Sequence, residues 1–261
     1  MVTVFQYWDS GFDGMPDFIK TIYKHNFDIC EKNNVRLVLI TDENITDYIT
    51  PHPRFKSLAH NHKSDMTRYY VLHKYGGFWL DTDVIIIKDL NILHNSICKY
   101  EAMIEPECMW DGRIKLGCAS LYIKKQSKVS KFCVDYVNNI LNTYGQLGWD
   151  NIGPVTIEKL YVKHFKLIKL TSYRKIKTGC NFISWLENPG VNKENWLLEC
   201  KNCAKLKAES LVDNDSCFYV VTWTIYRKNN IEDGLIKTVF DNKRSVFSYF
   251  VDNKFYAEFL K

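Results

Sequence analysis

No stretch of this 261-residue chain approaches the ~20 consecutive apolar residues of a membrane span, so no transmembrane helix is expected. No basic segment with a long apolar run stands ahead of Val2–Trp8, which already reads as a strand, so no secretory signal is expected either. Internal repeats and low-complexity linkers are missing, which argues against a solenoid and against domains strung on flexible tethers. Charge of one sign is not concentrated. The 35 Lys and Arg residues face 30 Asp and Glu for a net +5, and the densest basic group, Lys124, Lys125, Lys128 and Lys131, comes with no nucleic-acid-binding motif. A nucleic-acid partner is therefore not expected, whereas a small positive excess suits an anionic ligand. The nine cysteines are an odd count, and without a secretory route they read as reduced thiols of a cytoplasmic protein. Cys200-Lys-Asn-Cys203 has the spacing of half a zinc site, but no second pair completes it. For the same reason the sequons at Asn44 and Asn214 carry no weight.

Hydrophobic residues at 46% with 25% charged residues suffice for a packed core. Strand-like and helix-like patterns alternate, which predicts an α/β layer architecture. After the first strand, Pro16 suits a helix start, and Phe18, Ile19, Ile22 and Ile29 form an apolar stripe to about Asn33. Val35–Ile40 is a short apolar run, as in a buried strand, and a short helix through Tyr48 follows. A helix is expected from about Leu58 to Tyr75, ended by Gly76-Gly77, and then strands at Phe78–Leu80 and Val84–Ile87. Further on, Glu101–Glu105 and Ala119–Ile123 read as strands, Val129–Leu141 and a segment from Gly153-Pro154 to about Val162 as helices, and Phe165–Leu170 and Phe218–Val221 as extended. The expectation is one domain over residues 1–261, with a donor-binding half at about 1–90 and an acceptor-side half beyond.

The chemistry concentrates in Ser64-Asp65-Met66-Thr67-Arg68, then Tyr75-Gly76-Gly77, then Asp81-Thr82-Asp83. Asp65 and Arg68 are three apart on a helix and share a face, while Met66, Tyr69 and Leu72 can pack elsewhere. One acid and one guanidinium are thus displayed together, the acid able to accept from sugar hydroxyls and the guanidinium able to fork onto oxygens. Asp81 and Asp83 follow an apolar strand and, in extended structure, lie on the same side. Two close carboxylates repel unless a cation or proton relieves them. Hard oxygen ligands at a strand's C-terminal end suit Mg²⁺ or Mn²⁺, with coordination positions left for phosphate oxygens. The plainer alternatives are a solvated turn for Asp81–Asp83 and a surface ion pair for Asp65–Arg68.

Ser64-Asp-x-x-Arg68 with Tyr75-Gly-Gly-Phe-Trp-Leu-Asp-Thr-Asp83 resembles the DXD sugar-binding region of glycosyltransferase family 32. It is also similar to glycosyltransferases of capsular polysaccharide synthesis and, more distantly, to the catalytic domains of large clostridial glucosylating toxins. Phe5-Gln-Tyr-Trp8 with Gly11 and Met15-Pro16, and Thr41-Asp42-Glu43-Asn44, extend the resemblance over residues 1–90. It implies a GT-A fold, an α/β/α sandwich around a mixed, mostly parallel sheet. It implies a retaining transferase that moves a sugar from a nucleoside-diphosphate sugar, UDP-linked ahead of GDP-linked, to a glycan, polysaccharide or other hydroxyl acceptor. By position, Asp83 would ligate Mn²⁺ or Mg²⁺, Asp81 would hold the ribose and assist the metal, Asp65 and Arg68 would grip the donor sugar, Thr82 would lie at the cofactor, and Trp8 would stack on the base. Relatives carry a His-rich segment ending in Trp near the C-terminus; here Val220-Val221-Thr222-Trp223 stands in a similar place without the His, and Thr222 or Trp223 is the candidate to reach the diphosphate.

Other residues stay open. Trp8 has a core aromatic as its alternative; Gly153-Pro154 resembles a Gly-Pro turn at a helix start near the donor in this family, with an ordinary Pro-capped helix as the alternative. His60 and His62 are expected on the surface, with lining the site as the alternative; Glu105 and Asp111 are candidate acceptor-side carboxylates, and Val246–Leu260 is expected to pack, with a partner or membrane-surface contact as alternatives. Two other functions compete. A metal-dependent phosphohydrolase or nucleotidyl transferase would use Asp81 and Asp83 but leave Asp65, Arg68 and Gly76-Gly77 without a role; a non-catalytic carbohydrate- or nucleotide-sugar-binding protein would retain the scaffold without turnover.

Overall fold

A computed structural model of the chain describes residues 1–108, 114–170 and 219–221. The first strand, β1 (Thr3–Tyr7), leads through a turn to α1 (Asp17–Lys32), which Pro16 opens and whose first turn carries Asp17, an acid placed well for the helix dipole. The apolar stripe is buried as expected, and His25 and Asn26 are buried with it. Next come β2 (Arg36–Ile40), the short α2 (Ile45–Tyr48) and a 3₁₀ turn at Phe55–Ser57. Then α3 (His60–Tyr75) runs to Gly76, which takes φ 69° and returns its N–H to the Leu72 carbonyl at 2.9 Å, a left-handed cap. Gly77 opens β3 (Gly77–Leu80) at φ 108°, and a Cβ there would stand 2.5 Å from the Thr3 carbonyl oxygen. The Gly-Gly pair is therefore required twice over, first to cap the helix and then to let β3 lie against β1.

After β4 (Val84–Ile86) comes α4 (Leu90–Ile97), which has no counterpart among the expected elements. Its signal was present: the Asp89 side chain caps it by accepting from the Asn91 N–H at 2.8 Å, and Leu90, Leu93 and Ile97 are its buried face. The rest is β5 (Ala102–Cys108), β6 (Ile114–Ile123), α5 (Lys128–Thr143), α6 (Pro154–His164), β7 (Ile168–Leu170) and β8 (Tyr219–Val221). Several boundaries differ from expectation, among them β5, which runs on to Cys108 where Glu105 was the expected end. β6 is longer than Ala119–Ile123, and Phe165–Leu167 closes a 3₁₀ turn instead of extending, so the strand there is only Ile168–Leu170.

The main sheet has the order β2-β1-β3-β6-β5-β7. β1 pairs parallel with β2 and β3, β5 parallel with β7, and β6 runs antiparallel to β3 and β5, so β6 alone opposes the other five strands. Phe5, Tyr7, Trp79, Leu121 and Ile104 point to one face, where Met66, Tyr69 and Leu72 of α3, Val137 of α5 and Leu160 of α6 meet them. The alternate residues point to the other: Phe78 and Tyr122 are in ring contact at 5.3 Å, and His94 of α4 lies 5.5 Å from Tyr122. The expected α/β/α sandwich with a mixed, mostly parallel sheet is thus present among the described residues. β4 and β8 form a second, two-stranded sheet, with Val84 opposite Val221.

Candidate active site at the C-terminal edge of the sheet

β1 connects to β2 on one side, while its other neighbour is β3, so the strand order reverses at β1. In open α/β sheets, ligands bind outside the carboxyl ends of the strands where the order reverses. Trp8 follows β1 there and Asp81 follows β3. The Gln6 side-chain amide of β1 donates to the Asp81 carbonyl at 3.2 Å and ties the two strand ends together.

α3 lies over this edge, and its acid and guanidinium are buried rather than a surface pair. The Arg68 side chain is 2% exposed and that of Asp65 8%. Arg68 Nη1 donates to Asp65 Oδ1 at 2.6 Å and Nη2 to Asp81 Oδ1 at 2.8 Å, so one guanidinium joins the helix to the end of β3. Its carbon lies 5.1 Å from the Trp79 ring centre, over the ring, and Trp79 Nε1 donates to the same Asp81 oxygen at 2.7 Å. Asp81 is thereby oriented through Oδ1. A buried ion pair is weak evidence for stability, because desolvation offsets much of the attraction. Burial pushes the Asp65 carboxyl up to about 6; Arg68 and His62 pull against that rise, and Asp81 adds to it.

Gly153, at the start of α6, is the next part. A Cβ there would stand 2.6 and 2.7 Å from the two Asp65 carboxylate oxygens. The Gly153 carbonyl accepts from Tyr69 Oη at 2.8 Å. The Asp65 carboxylate thus sits at the N-terminus of α6, where the helix dipole favours an anion. The Gly-Pro pair is a helix start and also lies at the site. The loop ahead of it is fastened to α3: His62 Nε2 donates to the Gly148 carbonyl at 3.0 Å, and the Asn61 amide donates to the Trp149 carbonyl at 3.2 Å. His62 is 6% exposed, which corrects its expected surface position; the Gly148 carbonyl and the loop cover it. His60 is exposed and pairs with Asp9 at the rim.

Asp81 and Asp83 do not lie on one extended face as expected. Val84 N–H donates to the Asp81 carbonyl at 3.0 Å, closing a turn through Thr82 and Asp83. The turn buries Thr82 and Asp83, each 7% exposed, and leaves Asp81 half-buried. Trp8 is also half-buried, not a core aromatic. On the rim beside it, Asp42 accepts from Tyr7 Oη and pairs with Lys63. Glu105 is buried and accepts from Ser120 Oγ of the neighbouring strand at 2.6 Å. Asp111, Cys200, Cys203, Thr222, Trp223 and Val246–Leu260 lie outside the described residues.

The chemistry of Asp81 and Asp83 fits Mg²⁺ or Mn²⁺. These ions take hard oxygens and are commonly held by one or two carboxylates together with substrate phosphates and water. Among the described residues, no group of three or more His, Cys, Asp or Glu side chains could hold a metal.

Residues 1–107 match the family described as capsular polysaccharide synthesis protein. The match spans β1, the Asp65–Arg68 helix and the Asp81–Asp83 turn, the same residues that carry the resemblance in the sequence. No curated protein matches the chain. Solved structures with similarity include a glycosyltransferase involved in glycosylation of the major capsid of PBCV-1, at 10% identity and TM-score 0.45, covering 69% of this chain and 84% of that one. The glycosyltransferase GlyE of Streptococcus pneumoniae TIGR4 is 9% identical with TM-score 0.48, covering 98% and 63%. The galactosyltransferase LgtC, in complex with donor and acceptor sugar analogues, is 10% identical with TM-score 0.39, covering 72% and 80%. No helix among the described residues is long and apolar enough to cross a membrane.

Two buried amides beside the turn have partners that the sequence does not reveal, although Gln6 belongs to the Phe5-Gln-Tyr-Trp8 segment. Gln6 and Asn26 are both fully buried, the first tied to Asp81 and the second to the strand after Asp83. A buried amide within an apolar pattern reads as an interruption of that pattern until its partner is known.

Proposed function

We propose that the chain is a retaining glycosyltransferase that uses a nucleoside-diphosphate sugar and a divalent cation. The observation that carries this reading is the Arg68 bridge between Asp65 and Asp81, set at the strand-order reversal beside the Asp83 turn. The match of residues 1–107 to capsular polysaccharide synthesis proteins supports the same reading and suggests a glycan or polysaccharide acceptor. Asp81 and Asp83 would hold Mn²⁺ or Mg²⁺, which when bound supplies positive charge to the leaving diphosphate. Trp8, half-buried at the end of β1, offers a ring face to the base of a UDP- or GDP-sugar. Asp65 accepts from hydroxyls of the donor sugar, and Arg68 holds Asp65 and Asp81 in register from beneath, without needing exposure of its own.

In this reading the acceptor oxygen attacks the anomeric carbon on the face the diphosphate leaves. The carbon–oxygen bond to the phosphate breaks as the new glycosidic bond forms, and the acceptor proton passes to the departing phosphate oxygen. No side chain serves as a covalent nucleophile; a trapped glycosyl adduct on a carboxylate would contradict the step. The activity test supplies UDP- and GDP-sugars with Mn²⁺ and a panel of glycan acceptors, and follows the sugar. Sugar transferred with its anomeric configuration kept supports the proposal. A nucleotide cleaved to phosphate without sugar transfer points to a phosphohydrolase, and donor binding without turnover to a binding protein.

A further inference from the structure

Asn26 lies on α1, on the far side of the sheet from Asp65 and Arg68, and is fully buried. Its amide nitrogen donates to the Val84 carbonyl at 2.7 Å, and its amide oxygen accepts from the Ile86 N–H at 2.8 Å. The carboxamide thus presents a donor and an acceptor to alternate residues of β4, as one residue of a parallel neighbouring strand would. His25 adds Nε2–H to the Ile86 carbonyl at 2.9 Å. Burial pushes this imidazole down to about 4, so it is neutral when it donates. β8 pairs along β4. Val84 is the residue after Asp83, and its own N–H closes the Asp81–Val84 turn. Its N–H is therefore fixed by the turn and its C=O by Asn26.

We infer that Asn26 is a positioning residue: its buried carboxamide pins Val84 and so sets the Asp81-Thr82-Asp83 turn for a divalent cation. This rests on the transferase reading for the role of the cation, and on the hydrogen bonds for the role of Asn26. A side chain that merely fills space on α1 could be apolar, and the neighbouring buried positions Ile22 and Ile29 are. Two directed bonds onto the strand leaving the carboxylate turn set its position along β4, which apolar packing cannot do. Groups that orient metal ligands without touching the ion typically govern about 10–100-fold in metal affinity.

The test is a Mn²⁺ titration, read by the electron paramagnetic resonance of free Mn²⁺, with UDP and with GDP present. It compares the unaltered protein, Asn26→Ala, and Ile22→Ala on the same helix, at a temperature where thermal melts show all three folded. The expected result is Mn²⁺ binding weakened about 10–100-fold in Asn26→Ala and unchanged in Ile22→Ala, whatever the melting temperature of the latter. Asn26→Gln keeps both groups on a longer arm and replaces Asn26→Ala in the comparison should the alanine variant not fold; weakened binding is again expected. Unchanged Mn²⁺ binding in the Asn26 variant, or equal weakening in Ile22→Ala, overturns the inference alone. Absence of Mn²⁺ binding by the unaltered protein with either diphosphate contradicts the transferase reading and this inference with it.

Discussion

A single methyl group added at Gly153 tests whether α6 and Asp65 are fitted to each other. The new Cβ would stand 2.6 and 2.7 Å from the Asp65 oxygens and 2.8 Å from Cγ. Carbon atoms rest at about 3.5–4.0 Å, so Cγ must retreat by roughly 0.7 Å or α6 must move away by as much. Asp65 has little freedom to retreat, being buried and bonded to Arg68 at 2.6 Å. Overpacking of this kind costs about 1–3 kcal/mol. In a chain of this size each kcal/mol lowers Tm by about 2–4 °C. The functional cost should be larger, because misplacing a reacting group by about 1 Å can cost about 10²-fold in rate. Gly153→Ala is therefore expected to lower Tm by several degrees and donor-dependent diphosphate release by about 10–100-fold, while leaving Mn²⁺ binding at Asp83 intact. Gly145→Ala is the control on the loop before it: nothing lies within 4 Å of a Cβ there, and neither Tm nor turnover should fall. A Gly153→Ala protein with the melting temperature and turnover of the unaltered chain would refute the argument.

Three further outcomes are expected. Arg68→Met leaves Asp65 buried without its counter-charge, so urea unfolding should show a loss of about 3–5 kcal/mol; a loss below about 1 kcal/mol would mean the bridge is not as buried as described. Asp65 has a folded pKa of about 6, above its unfolded value, so the stability it lends is fully present below about pH 4 and is lost as pH rises through 6. Melts of Asp65→Asn and the unaltered protein should therefore move in favour of the variant between about pH 4 and 6 and run parallel above that, and a difference independent of pH would contradict the shift. Trp8→Ala should raise the KM for the nucleotide donor about tenfold with Tm held, since the ring is only half-buried; a large loss of Tm with unchanged KM would make Trp8 a packing residue.

The parts of the fold that read correctly from sequence are those where burial leaves a one-dimensional pattern. The stripe on α1, the apolar run of β2 and the Gly76-Gly77 break follow directly from helix period, strand burial and the steric demand for positive φ. α3 is legible as a helix, expected over about Leu58–Tyr75 and found at His60–Tyr75, but its buried faces are not. Its buried set runs His62, Asp65, Met66, Thr67, Arg68, Tyr69, Val71 and Leu72, mixing charged and apolar residues around most of its circumference, so no amphipathic stripe marks it. The spacing of Asp65 and Arg68 gave their shared face, but only packing against β3 and α6 shows that the pair is buried and that Arg68 reaches Asp81. Likewise the extended reading of Asp81–Asp83 failed because the Val84 N–H closes a turn, a bond between residues three apart that a two-residue alternation does not register. His62 was misplaced because nothing local announces that a loop 86 residues further on covers it.

The most direct test of the central claim is release of nucleoside diphosphate from a panel of UDP- and GDP-sugars, with Mn²⁺ or with chelator, by the unaltered protein and by Asp83→Ala. Release from at least one donor that requires Mn²⁺ and disappears in Asp83→Ala is the predicted result. Release that persists with chelator or in Asp83→Ala, or no release and no donor-dependent thermal shift across the panel, would contradict a metal-dependent transferase built on this turn.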